Sequence, residues 1–323
     1  RIGRWVDFDD DYKTMDLDFM ESVWWVFGQL WERGLVYRDF KVLPYSYGAT
    51  TPLSNFEANL DYRDVDDPTI TVAVEVPADH GPALAGDRLL FWTTTPWTVP
   101  SNLAVAVGPN VEYARVRTDA GHSWVASRLV EDILDGGQVV ATAQGSELRG
   151  TRYIPPFAYF ADKAREGAFV VIGSPDVTTD EGTGLVHMAP AYGEADFSAL
   201  QNAGIDVIVD PVDAEARFTG EVPEVAGQNV KDADATLRDL LKISGALVDR
   251  GTIRHSYPFC WRTGTPLIYK AIPTWFVAVE SFRDRMVEIN NGIRWVPEAI
   301  GAKRFGNSLE GCLLYTSPSP RDH

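Results

Sequence analysis

Two short segments carry residue types that could do chemistry. The first runs from Arg88 to Asn102, RLLFWTTTPWTVPSN. A β-forming run ends here in three hydroxyls, and Pro96-Trp97 then turns the chain away. Side chains alternate faces in an extended strand, so Thr93 and Thr95 are expected to point together and Thr94 away. These residue types fit a packed strand of high β propensity. They also fit a strand end whose hydroxyls and free backbone N–H groups orient a water and stabilise an oxyanion.

The second segment is Glu181 to Phe197, EGTGLVHMAPAYGEADF. Gly182 and Gly184 permit close backbone approach. Leu185 to Met188 reads as a strand with His187 near its end, residues 189–193 as a turn, and Glu194 to Asp196 as the first turn of a helix. The positive end of that helix is expected to hold Asp196 ionised, which suits it to receive an ammonium group. The plainer readings are a hydrogen-bonded structural histidine and a carboxylate that only complements the helix dipole. No Ser or Cys stands paired with a positioned His.

The elements that must position these segments are mostly strands. From Thr51 to about Arg250 short β-rich runs alternate with Gly, Pro and Asp: 69–76, 88–95, 103–107, 113–117, 139–143 and 168–172. Many short strands with turns between them predict a barrel or sandwich-like domain. Two helices interrupt it, at about 194–202 before Gly204 and at about 233–243, where Leu237, Leu240 and Leu241 make an apolar face before Gly245. Ahead of this region come an acidic turn, Asp7 to Asp11, and a helix on which Leu17, Met20, Trp24, Phe27 and Trp31 form a stripe expected to face a core. Short strands are expected at 35–37 and 41–45, a strand-like stretch at 255–279 and a helix at 281–289. The class is mixed α/β, with a β-rich guest inserted between flanks that fold together. Cys312 to His323 resembles translated vector sequence and is assigned no function.

Composition narrows the function classes. The chain has 323 residues, 45% hydrophobic and 23% charged, enough for two soluble domains. No stretch approaches the roughly 18 apolar residues of a membrane span. Two cysteines, Cys260 and Cys312, exclude a disulfide framework and favour a reducing compartment. A net charge of −17 argues against a general nucleic-acid binder, though not against a local site for one RNA end. Opening at Arg1 inside a formed motif, the chain reads as an internal piece of a longer protein.

Taken together, the two segments resemble the editing domain of isoleucyl-tRNA synthetases: Trp92 to Asn102 its threonine-rich peptide, Gly182 to Asp196 its second signature. The flanks are similar too, at YKTMD (12–16), TPLSNFE (51–57) and HSYPFCWR (255–262). Valyl and leucyl relatives follow their threonines with Arg-Pro and an acidic residue, so Thr95-Pro96-Trp97 points to the isoleucine member. The resemblance implies a barrel-like editing domain at 51–250 within a partial Rossmann-type class I core, with 1–50 before it, 251–311 after it and 312–323 a non-native tail. It implies a cytoplasmic, monomeric enzyme that hydrolyses valine from the 3′ end of tRNA(Ile). Asp196 would bind the α-ammonium, His187 would limit side-chain size, Thr93, Thr94 and Thr95 would hold the terminal adenosine and the attacking water, and Asn102 would support that peptide.

Departures from the family pattern shape two further expectations. Where relatives often carry two Cys-x-x-Cys pairs that bind zinc, this chain has Ser46 and Ala49 at one and Cys260 and Thr263 at the other, so no metal is expected. The His-Ile-Gly-His and Lys-Met-Ser-Lys-Ser signatures are absent, so ATP and Mg belong to the longer enzyme and editing needs no cofactor.

Overall fold

The computed structural model describes Asp7, Asp11 and residues 13–311. Most of the acidic turn, Tyr12 and the tail at 312–323 lie outside the described residues. Twelve strands are present among them. They are β1 Val36–Ser46, β2 Thr51–Pro52, β3 Tyr62–Glu75, β4 Arg88–Thr93, β5 Ala104–Val107, β6 Glu112–Thr118, β7 Gly121–Ala126, β8 Gln138–Gln144, β9 Val170–Gly173, β10 Leu185–Met188, β11 Leu247–Pro258 and β12 Ile268–Val277. The longer helices are α1 Leu17–Glu32, α2 Glu194–Asn202, α3 Val230–Ile243 and α4 Arg283–Asn291. Two compact units result, one from the ends of the chain, up to Phe40 and from Pro273 on, the other spanning Lys41–Ile272.

Nine strands of the larger unit form one curled sheet, a half-barrel, with β8-β6-β7-β4-β10-β5-β9 in order and β3 and β11 branching from β4. The expected barrel-like, mixed α/β architecture is therefore present. Strand β4 is its centre. Leu89, Leu90 and Phe91 are wholly buried, because both faces of this strand are covered and its apolar run need not alternate. One edge of β4 pairs antiparallel with β3 from Arg88–Glu75 to Thr93–Ile70. Its other edge is shared: β7 pairs in parallel at Arg88 and Leu89, and β10 takes over at Trp92.

That exchange of partners places the threonines. Strand β10 continues antiparallel to β5, setting His187 opposite Val105, and β5 runs parallel to β9. The core beneath gathers Val72, Phe91, Val105, Trp124 and Leu185. Each fully buried large side chain contributes about 1.5–3 kcal/mol relative to exposure.

The helix α1 forms where its periodicity places it, but its stripe does not face a core. Trp24 is 69% and Trp31 54% exposed, and no residue of α1 is buried. Helical periodicity marks an apolar face, whereas burial needs a second layer. Here the rings meet one another instead, Phe27 stacking on Trp31 and Trp31 lying 5.7 Å from Trp275. The two short strands expected at 35–37 and 41–45 are one strand, β1.

Candidate active site

The site begins where β4 stops. Pro96 cannot continue a ladder, and it opens a 3-10 turn, Pro96–Ser101, with proline at the first position and Thr95 as its cap residue. Thr98 N donates to Thr95 O at 3.0 Å and Asn102 N to Val99 O at 3.0 Å. The turn is buried throughout, so each of its polar side chains needs a partner.

A chain of hydrogen bonds supplies those of Thr98, while Trp97 Nε1 and Ser101 Oγ stay outside it. Thr95 N donates to Thr93 Oγ1 at 3.1 Å, and the Thr93 and Thr95 hydroxyls lie 3.2 Å apart, on one side as alternation predicts. Thr95 Oγ1 lies 3.2 Å from Thr98 Oγ1, which donates to Thr95 O at 2.8 Å. Thr98 Oγ1 in turn meets His187 Nε2 at 3.0 Å. Asn102 closes the chain: its Nδ2 reaches His187 Nδ1 at 2.8 Å and Ala104 O at 3.0 Å, while its Oδ1 accepts from Tyr153 OH at 2.6 Å.

The polarity of this chain follows from its ends. Ala104 O can only accept, so the Asn102 atom facing it is the amide nitrogen. That nitrogen spends its second hydrogen on Nδ1 of His187, which must be an acceptor, and the ring proton therefore sits on Nε2 and is donated to Thr98. Burial drives the His187 imidazole down to about 3 despite the help of Thr98, so the ring is neutral. Phe91 stacks on it at 5.4 Å. A neutral ring with both nitrogens engaged is no general base. It is a bracket between the turn and Asn102.

In front of this bracket lies a cavity of about 280 Å³, lined by Trp92, Thr93, Thr94 and the stretch Glu181 to His187, with Asp176 and Thr178 at its side. Two glycines make that wall possible. Gly182 has φ +71, and a Cβ there would press on the Trp92 ring at 3.0 Å. Gly184 has φ +76 and would meet Ala126 Cβ at 2.4 Å.

The structure therefore brings five of the six expected residues together. Thr93, Thr94 and His187 line the cavity, and Thr95 and Asn102 hold the turn behind it. Asp196 does not line it. Its carboxylate folds back over Gly193 and accepts from Ala189 N at 2.8 Å, just past the end of β10. The expected effect of the helix terminus is also corrected. Burial pushes the Asp196 carboxyl up to about 6, and the amides of Ala189 and of Asp196 itself only partly reverse this. Desolvation outweighs the dipole because the group is half-buried, not on an exposed first turn.

Sequence reasoning gave no role to Thr98 and did not single out Tyr153, Asp176, Thr178 or Glu181. Thr98 carried one signal, its place three residues after Thr95 across a proline-opened turn. Tyr153 carried none.

At the cysteine, Ser46, Thr263 and Cys260 do come together. Burial alone would raise the thiol, but hydrogen bonds from Ser46, Thr263 and nearby backbone leave it below its usual value. Among the described residues no group of three His, Cys, Asp or Glu is placed to hold a metal ion. None of the described helices is long and apolar enough to cross a membrane.

The profile of tRNA synthetases class I (I, L, M and V) matches residues 1–312. The chain belongs to the class I tRNA synthetases. It is similar to proteins named isoleucine–tRNA ligase: 48% identical over 316 residues to that of Chlamydia pneumoniae and 49% over 317 residues to that of Bdellovibrio bacteriovorus, covering 96% of this chain and 30% of each relative. The one from Mycobacterium leprae is 48% identical over 96% of this chain and 31% of its own length. The chain thus spans about a third of the length of these relatives. Among solved structures it is similar to GlLeuRS-CP1, at TM-score 0.43 and 15% identity over 56% of this chain and 96% of that one. The editing domain of the P. knowlesi cytosolic leucyl-tRNA synthetase gives 0.44 and 8% over 56% and 95%.

Within this class I synthetase chain the cavity can do a limited chemistry. It offers hydroxyls and backbone amides at a strand end, a neutral imidazole wall and the carboxylates of Asp176 and Glu181. That set suits binding a polar ester and directing water to it.

Proposed function

We propose that the chain is the proofreading part of an isoleucine–tRNA ligase, and that its threonine-lined cavity hydrolyses valyl-tRNA(Ile) by attack of water on the aminoacyl ester. The observation that carries this reading is the hydroxyl chain from Thr93 through Thr95 and Thr98 to a neutral His187. Isoleucine and valine differ by one methylene, worth only about 1–3 kcal/mol in a hydrophobic pocket; isoleucyl-tRNA synthetase is itself the standard illustration of that limit. A second, smaller sieve that admits valine resolves it.

In this mechanism Thr93, Thr94 and Thr95 hold the terminal adenosine and the water. His187 fixes the turn and, as a wall of the cavity, limits the side chain admitted. Asp196, just past the end of β10 and outside the cavity wall, would have to turn from Ala189 N toward the ester to receive the α-ammonium, whose charge would offset the burial that now raises its carboxyl. Hydrolysis uses no metal and no cofactor. The partner is the 3′ end of tRNA(Ile), the setting is the cytoplasm and the protein acts as a monomer. Charging of tRNA(Ile) with isoleucine, ATP and Mg is the work of the longer protein.

The test is deacylation of valyl-tRNA(Ile) beside isoleucyl-tRNA(Ile). Faster loss of valine is expected, and Asp196→Ala should leave the mischarged tRNA intact. Equal rates for both esters would remove the proofreading role. Binding of tRNA without hydrolysis would leave a tRNA-binding module.

A further inference from the structure

Lys270 on β12 is a buried cation, only 7% exposed, and a carboxylate from the loop between α2 and α3 meets it. Lys270 Nζ donates to both oxygens of Asp210, at 2.7 and 2.6 Å, and to Val212 O. Asp210 Oδ1 accepts a further hydrogen bond from Tyr192 OH at 2.9 Å. Burial, together with the Asp210 charge, raises the Tyr192 phenol well above its ordinary value, so the hydroxyl keeps its proton and donates it.

Tyr192 belongs to the turn 189–193 between β10 and α2. Strand β12 reaches the same turn a second time, Ala271 N donating to Ala191 O at 2.7 Å. Tyr192 N closes the turn on Ala189 O at 2.9 Å, and the Tyr192 ring stands edge-on to Trp97 at 4.7 Å. Asp196 rests on this turn at two points. Ala189 N donates to its carboxylate, and at Gly193 a Cβ would meet its Cγ at 2.8 Å. Wherever the turn sits, the Asp196 carboxylate starts from there.

Stability does not explain the ion pair. Taking Lys and Asp out of water costs about as much as their attraction returns, and packed apolar side chains would join β12 to the loop as well. An apolar contact cannot supply direction. A ring held by packing alone can slide, whereas a hydroxyl bonded to a fixed carboxylate has one position. We infer that Lys270 is a positioning residue of the hydrolytic site: with Asp210 it anchors Tyr192 OH and so sets the turn from which Asp196 receives the α-ammonium. The kinetic part of this inference rests on the hydrolytic reading above.

The experiment compares two esters of tRNA(Ile), valyl and α-hydroxyisovaleryl. The second has the valine skeleton with a hydroxyl in place of the ammonium, so it brings no cation for Asp196 to receive. Lys270→Met removes the buried ammonium, and Tyr192→Phe keeps the ring and the ion pair but cuts the link between them. In the full chain each variant should hydrolyse the valyl ester about tenfold more slowly, the effect of one lost charge-assisted hydrogen bond, and the hydroxy ester within about twofold of the unaltered rate. A general loss of structure would slow both esters alike. Equal slowing therefore overturns the inference, and so does an unaltered rate with the valyl ester in either variant. If Lys270→Met does not fold, Tyr192→Phe decides alone. If the unaltered chain hydrolyses neither ester, the proposed function fails by itself. In that case, or if the hydroxy ester alone is spared, the inference is decided by NMR. The Ala189 amide resonance should then move in Tyr192→Phe, and an amide that stays in place overturns it.

Discussion

The turn after β4 and the helix α1 both carry tryptophan, one residue in the turn and three in the helix, and they end in opposite conditions. Trp97 is 3% exposed, against Tyr192 at 4.7 Å, whereas Trp24 on α1 is 69% exposed. The difference is not hydrophobicity. Around the turn, β10, α3 and the segment bearing Tyr153 each supply a layer, while α1 presents its apolar stripe to no layer among the described residues. A local pattern sets which face is apolar, and distant segments decide whether that face becomes a core or a site.

The sharpest way to break the comparison is at His187. His187→Ala removes two hydrogen bonds and a stacked ring from the turn's bracket. Valyl-tRNA(Ile) deacylation should drop by about two orders of magnitude, and urea unfolding should show a loss of about 2–4 kcal/mol. A normal rate would show that the turn holds without its bracket.

Asn102→Ala should come next in size, because Asn102 carries bonds to His187, Ala104 and Tyr153. Its effect should not add to that of His187→Ala. A double-mutant cycle on stability is expected to show coupling of about 1 kcal/mol or more, and additivity would mean the two side chains act separately.

Acid should separate the same residues by sign. His187 titrates at about 3 when folded, below its usual 6.5, so its contribution to stability is lost as pH falls from about 6.5 toward 3. Asp196 and Asp234, raised to about 6 and about 7, act oppositely and favour the folded form as pH falls from about 7 to 4. His187→Gln should therefore lose less stability than the unaltered chain between pH 6 and 4, read as urea midpoints. An unchanged slope would contradict a neutral buried ring.

The smallest effects belong to α1. Trp24→Glu and Trp31→Glu should leave deacylation unaltered and move stability by no more than about 0.5 kcal/mol. A clear loss of activity would mean that this stripe supports the site after all.

How far these features could be read from the chain varied with their range. The end of β4, the pairing of Thr93 with Thr95 and the span of α2 follow from neighbours in sequence. The need for glycine at 182 and 184 was also visible, although Trp92 and Ala126, which enforce it, were not. Tyr153 reaches Asn102 from 51 residues downstream, so no local pattern announces it. Asp196 misled for a related reason: the helix terminus is written in the sequence, but the burial that outweighs it is a property of the packed chain.

The placement of β10 between β4 and β5 has a consequence for the chain as it is made. Two strands that follow one another in sequence stay apart until a third arrives from far downstream. Thr98 and His187 are 89 residues apart. At about 5–20 residues per second, a ribosome takes roughly 4–18 s to cover that distance. Throughout that interval the threonines exist without their bracket, so the nascent chain has not yet closed the cavity at the end of β4. The site matures in one late, non-local closure.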